Sequence, residues 1–247
     1  MAPMKSDQPN QIENAQVFYN QYWQNADYIN FLKLERLIAI LEEISYLHIK
    51  LPSIIDLGCG TGWLASILGN IGPTTGVDLS DVAMQTASNK YPYVEFIQAN
   101  IQKWIPPERG VFDIVVSQEV IEHLEDQKGH IRLASELLKS HGYLILTTPN
   151  ARTFGAMPDE QRQAWLRQPI ENIVTIKQLT YLLKDHFDII QLRTIIPLYG
   201  QKGIYRVFSS VRLRSILRKA NLGQYLFSLK LRLGLGLHIL AVGKKKS

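Results

Sequence analysis

The stretch SIIDLG at 53–58 is a short strand of the buried type that runs directly into glycine. The glycines then recur through IIDLGCGTG as far as Gly62. Without a Cβ, such a loop can turn sharply and let a ligand approach the backbone closely. The same design is repeated downstream. Strand-like runs at 74–80, 94–99, 112–118, 142–149, 187–196 and 238–243 are spaced by helix-like segments at 62–69, 81–90, 130–139 and 176–184. Repeated strand–helix alternation produces βαβ units and a mainly parallel α/β sheet. Its connections are right-handed, and its ligands lie at the carboxyl ends of the strands.

Ahead of the first strand, segment 28–48 places Phe31, Leu32, Leu34, Leu37, Ile38, Leu41 and Ile44 at helical spacing. The expected organisation is an N-terminal helical cap at 1–48 and a core at 49–197 that carries a lid at 150–172. A helical insertion at 198–236 and a last strand with a basic tail at 237–247 complete it. A hydrophobic content of 46% and four tryptophans exclude a disordered chain. No stretch approaches the length of a spanning helix. MAPMKSDQPN lacks the apolar region of a secretory signal, and the lone Cys59 has no disulfide partner, so a reducing cytoplasm is expected.

Two carboxylates accompany the glycine loop. Asp56 ends the strand before it, and Asp78 ends the next strand, sixteen residues beyond Gly62. A carboxylate at the second position can accept hydrogen bonds from both hydroxyls of a ribose. The spacing G-x-G-x-G, with Trp63 after Gly62, departs from the dinucleotide pattern, and no GK[ST] follows as a P-loop would require. Asp56 suits a cationic ligand better than a pyrophosphate.

With these residues the chain resembles the class I S-adenosylmethionine (SAM)-dependent methyltransferases over about residues 45–196 and the final strand. The likeness is to the ubiquinone-biosynthesis O-methyltransferase and methyltransferase type 11 and 23 group. It implies a Rossmann-like, doubly wound, seven-stranded sheet with the helical insertion before the last strand. It also implies that Gly58, Cys59 and Gly60 lie beside the methionine part of SAM, that Asp78 holds the ribose and that Leu79 borders the adenine. Asn100 and Ile101 should flank the same base; many relatives have Asp at the first position, and an amide oxygen can still accept from the adenine amino group. FYNQYW at 18–23 resembles the aromatic segment that closes over SAM, with Tyr19 and Tyr22 as candidates.

After strand 112–117 comes SQEVIEHLED. Gln118 and Glu119 fall where relatives contact SAM or substrate. Read as a helix, Glu119, Glu122 and His123 at i, i+3 and i+4 share one face and could bind a divalent cation such as Mg. An E-x-x-E-H run of this kind also occurs in the metal-dependent ubiquinone-pathway and small-RNA 2′-O-methyltransferases. The further histidine of the RNA group is missing, since none lies between His141 and His186. His123 is equally readable as a general base without metal, because imidazole titrates near neutral pH. Glu119 and His123 are thus the catalytic candidates, and Arg152, Trp165 and Arg167 of the lid are candidates for holding the acceptor. The resemblance implies methyl transfer to O or N of a small molecule, either lipophilic or carboxylate-bearing. RNA methylation and non-catalytic SAM binding are the alternatives.

The net charge of +5 hides an asymmetry. All 22 acidic residues lie in 1–188, which carries −7, whereas 189–247 holds 12 Lys+Arg and no acid. Within it, Leu213, Ile216, Leu217 and Ala220 form one helical stripe, and Leu222, Leu226, Leu229 and Leu233 form another, with basic residues beside both. Docking through 204–233 on a membrane surface fits this pattern. So does a subdomain packed over the active site. Sparse aromatics and the lack of an RNA-binding module speak against nucleic acid.

Overall fold

The structure, a computed structural model, describes residues 11–25, 29–166, 168–197, 210, 215 and 223–247. Seven strands form one sheet: β1 (Ile54–Leu57), β2 (Thr74–Asp78), β3 (Glu95–Gln98), β4 (Phe112–Gln118), β5 (Leu138–Pro149), β6 (Phe187–Pro197) and β7 (Gly236–Lys245). Their order is β3-β2-β1-β4-β5-β7-β6. The pairs from β3 to β5 are parallel, while β7 runs antiparallel to both β5 and β6. The expected mainly parallel, doubly wound sheet is what the chain forms.

Side-chain alternation divides the core in two. Ile54, Ile114, Val116, Ile145, Leu240 and Val242 face one side, and their neighbours Ile55, Val115, Leu144, Ile239 and Ala241 face the other. Helix α2 (Phe31–Tyr46) buries Leu37, Ile40 and Ile44 against the first set. Helices α5 (Gln127–Leu137) and α8 (Ile176–Leu183) cover the second. Of the N-terminal stretch, α2 is therefore built into the layered core. Helix α1 (Gln11–Asn25) packs instead on α4 (Asp81–Lys90), whose N-cap is Ser80.

The strand order reverses between β1 and β4, since β2 and β3 continue one way and β5 the other. Such a reversal opens a crevice at the carboxyl ends of the two strands. The stretch 150–172 lies beside that edge as two short helices, α6 (Ala151–Phe154) and α7 (Asp159–Trp165). Of the two expected basic helices, the second is observed as α9 (Gly223–Arg232); the first, around 213–220, lies outside the described residues. Among the described residues no helix is long and apolar enough to cross a membrane.

Candidate functional site

A cavity of about 690 Å³ fills the crevice, bounded by Asp56, Gly58, Cys59, Asp78 and Leu79 at one end and by Glu119, Glu122 and His123 at the other. The glycine loop sets its floor. Gly58 and Gly60 have φ of +76° and +53°, the left-handed region that strains other residues. Space is equally restrictive, because a Cβ on Gly60 would stand 2.6 Å from the Trp23 ring, and one on Gly58 would stand 2.4 Å from Val120. Trp23 of α1 thus lies directly over the loop. Helix α1 is anchored there by Ser80 Oγ, which donates to Asn20 Oδ1 at 2.6 Å.

Asp78 is oriented by backbone donors, the Gly60 and Ser80 N–H groups, each at 2.9 Å from a different carboxylate oxygen. Burial raises its pKa, and these hydrogen bonds oppose the rise. Asp56 is in a harsher position. Burial, with the Asp78 charge beside it, pushes its carboxyl up to about 7. Among the described residues its Oδ2 has no hydrogen-bond partner. Two enclosed carboxylates with an unpaired oxygen call for a ligand that brings positive charge and hydroxyl donors. SAM has both, in its methionine ammonium and its ribose, so the residues fit the cofactor. Leu79, Asn100, Ile101 and Gln118 also line the cavity. The Asn100 side-chain oxygen accepts from the Gln102 N–H at 3.0 Å, which holds the loop and leaves a second lone pair.

Tyr19 completes the roof. Its hydroxyl donates to Gln168 Oε1 at 2.7 Å, linking α1 to the stretch that follows α7. Burial, together with the charges of Asp78, Glu122 and Glu171, raises this phenol far above its ordinary range, so it stays a donor.

At the other end, the shared helical face expected for Glu119, Glu122 and His123 does not exist. Strand β4 ends at Gln118, Glu119 takes a left-handed turn at φ +57°, and Ile121–His123 form a single 3₁₀ turn. Glu119 is consequently aimed elsewhere. Its Oε1 accepts from Thr147 Oγ1 at 3.0 Å, and its Oε2 lies 2.9 Å from His238 Nε2 and 3.8 Å from Arg36 Nη1. A carboxylate only accepts, so His238 Nε2 carries a proton. Burial alone would raise the Glu119 pKa, but His238 and Arg36, with hydrogen bonds from His238 and Thr147, hold it below the ordinary carboxylate range. Glu122 goes the opposite way: burial and the Glu119 charge raise it, against a hydrogen bond from Thr148 Oγ1 at 3.0 Å. Among the described residues no group of three His, Cys, Asp or Glu side chains is placed to hold a metal ion. The divalent-cation site read from the E-x-x-E-H run therefore does not fit. Its cause was a helical periodicity that the left-handed turn at Glu119 interrupts.

His123 remains in the cavity wall. Its Nδ1 lies 2.9 Å from the Ile170 carbonyl oxygen, which only accepts, so Nδ1 carries a hydrogen. Glu122 Oε1 is 3.7 Å from the other ring nitrogen, Nε2.

The lid residues behave differently from expectation. Arg152 does not line the cavity; its guanidinium reaches out to the Leu233 carbonyl at 3.4 Å. Arg167 and the Trp165 side chain lie outside the described residues. The cations in the cavity wall are Lys103, beside Asn100, and the pair Lys33 and Arg36, one turn apart on α2. Lys33 Nζ stands 5.9 Å from the centroids of both Trp23 and Trp63. Spacing could have flagged this pair, since the two alternate with the apolar residues that α2 buries. His238, the first polar residue of β7, carries no such signal.

The methyltransferase domain model (Methyltransf_23) matches residues 22–223, most of the chain. The chain belongs to this methyltransferase family. A probable S-adenosylmethionine-dependent methyltransferase of Mycobacterium tuberculosis is 35% identical over 102 residues, covering 41% of this chain and 37% of that protein. The ubiquinone biosynthesis O-methyltransferase of Albidiferax ferrireducens is 28% identical over 103 residues, covering 39% and 41% respectively. The chain thus matches only about two fifths of the length of these relatives. Among solved structures, the N-methyltransferase NodS of Bradyrhizobium japonicum, in complex with S-adenosylhomocysteine (SAH), superposes with a TM-score of 0.64. That alignment covers 95% of this chain and 100% of NodS at 15% identity, a likeness of fold.

Proposed function

We propose that the chain transfers the methyl group of SAM to an oxygen or nitrogen of a small-molecule acceptor, with His123 as the general base. The observation that carries this reading is one continuous cavity lined by the Asp56–Asp78 pair at one end and by the His123 imidazole, held through Nδ1, at the other. Bound there, SAM supplies an activated methyl group on a sulfonium. Asp78 holds the ribose hydroxyls, Asp56 neutralises the ammonium, and Lys33 faces the carboxylate. His123 receives the proton of the acceptor, and the Ile170 carbonyl, which fixes its tautomer, stabilises the imidazolium that forms. Glu119 keeps the turn in place through Thr147 and His238.

A volume of about 690 Å³ lies inside the range of roughly 300–1,000 Å³ usual for small-ligand sites. Leu32, Trp63, Leu64, Phe154 and Ile173 give the wall an apolar lining suited to an acceptor with a lipophilic body. The ubiquinone-pathway relative is an O-methyltransferase by name, which favours oxygen.

The test has two parts. Titration calorimetry should detect SAH binding that Asp78→Ala abolishes. Turnover of SAM should then be assayed against phenols, carboxylic acids and amines. Binding that survives Asp78→Ala would remove the cofactor assignment, and transfer to an RNA oligonucleotide but to no small acceptor would remove the substrate class.

A further inference from the structure

Helix α9 packs against β6, and among the described residues its side chains divide between a buried and an exposed side. Thr194 Oγ1 of β6 donates to the Leu231 carbonyl at 2.8 Å, and Lys230 is buried beneath. The outer face shows Tyr225 (73% exposed), Leu229 (46%) and Arg232 at i, i+4 and i+7, and exposed Leu233 (43%) extends the row into the turn that follows. Three large apolar side chains in a row on water is a costly arrangement for a helix already packed on its other side.

Directly beside this row lies a second cavity, a hollow of about 430 Å³ between the starts of α6 and α8. Among the described residues its charged lining is Arg152 and Lys177, both cationic and both exposed. The two features are joined. Arg152 reaches the Leu233 carbonyl, and a Cβ on Gly234 would lie 3.3 Å from Ile176 of the hollow. In sequence, the segment 189–247 that includes α9 contains 12 Lys+Arg and no acidic residue.

We infer that this face docks on an anionic lipid bilayer, with Tyr225, Leu229 and Leu233 entering the interface while Arg152, Lys177 and Arg232 meet phosphate headgroups. An apolar row bordered by cations matches the two layers of such a surface, acyl chains below and negative phosphates above. The alternatives fit less well. A twofold dimer would set the same cationic patch against itself. A nucleic acid would satisfy the arginines but leave the leucines in water. The inference is independent of the methyl-transfer reading and would stand if that reading failed.

Flotation of the full chain with phosphatidylcholine vesicles, with and without phosphatidylglycerol, tests it. Co-flotation is expected only with phosphatidylglycerol, and raised salt should weaken it. Removing two headgroup charges with Arg152→Gln and Lys177→Gln should lower vesicle affinity about thirtyfold. Leu229→Glu with Leu233→Glu should abolish binding. All variants should keep the far-ultraviolet circular dichroism and the thermal melt of the parent, which distinguishes lost docking from lost folding. No flotation, equal binding to both vesicles, or a dimer in sedimentation that the leucine variants dissolve would each overturn the inference. So would tight, salt-sensitive binding of an oligonucleotide in place of vesicles.

Discussion

Asp56 shows how one side chain can report on a ligand. Held at about 7 by burial and by Asp78, its carboxyl is protonated in the free protein over much of the range in which an unfolded aspartate, near 3.8, is ionised. The native state therefore binds the extra proton. Between about 4 and about 7, stability of the free protein should fall as pH rises. A cationic ligand reverses the preference and expels the proton. Calorimetry in buffers of different ionisation enthalpy should show proton release on SAH binding below pH 7, with affinity rising toward neutrality. Asp56→Asn should remove both effects, whereas proton-independent binding by the parent would place the ammonium elsewhere. For His123 the expected signature is kinetic. His123→Ala should lower kcat by about 10²–10⁴-fold, with little change in SAH affinity.

The glycine loop and α1 work as a pair of elements. Gly60→Ala places a methyl group in the Trp23 ring and forces a non-glycine residue to φ +53°. The left-handed conformation alone costs about 1–2 kcal/mol, measurable by urea denaturation, and SAH affinity should fall with it. The roof depends on less. Tyr19→Phe deletes a single hydrogen bond to Gln168, worth about 1 kcal/mol. Hydrogen exchange in α1 should quicken and SAH should dissociate faster, while the global melting temperature moves little. Unchanged exchange would mean that Trp23 and Asn20 hold α1 without help. These elements were largely legible beforehand. Alternating apolar runs and loop glycines are local signals, and the strands appear within a few residues of where they were expected. The 3₁₀ turn at Ile121–His123 was not legible, because E-x-x-E-H also satisfies helical spacing. Only the reversal at Glu119, set by its N–H bond to the Thr147 carbonyl, distinguishes the two.

Across the whole molecule, Arg36, Glu119, Thr147 and His238 join α2, the β4 turn, β5 and β7 in one buried cluster. Removing one partner of a buried hydrogen bond to a carboxylate costs about 1–3 kcal/mol, so His238→Ala should destabilise the fold by that order in urea titrations. The pH dependence follows from Glu119, whose pKa lies below its unfolded value. Its contribution is complete above the ordinary carboxylate range and is lost as pH falls through the depressed folded value. Glu119→Gln should therefore flatten the acid limb of stability; an unaltered limb would assign it to other carboxylates. By itself the sequence determined the α/β class, the glycine loop and the two aspartates beside it, since short-range pattern and glycine chemistry dictate them. It also showed the charge asymmetry of the last sixty or so residues, which composition records directly. Tertiary structure alone decided where the acidic–histidine run points. Arg36 and His238 are 202 positions apart, and only the antiparallel return of β7 beside β5 places them against Glu119. That contact diverts the carboxylate a metal site would need, and leaves His123 in the cavity wall.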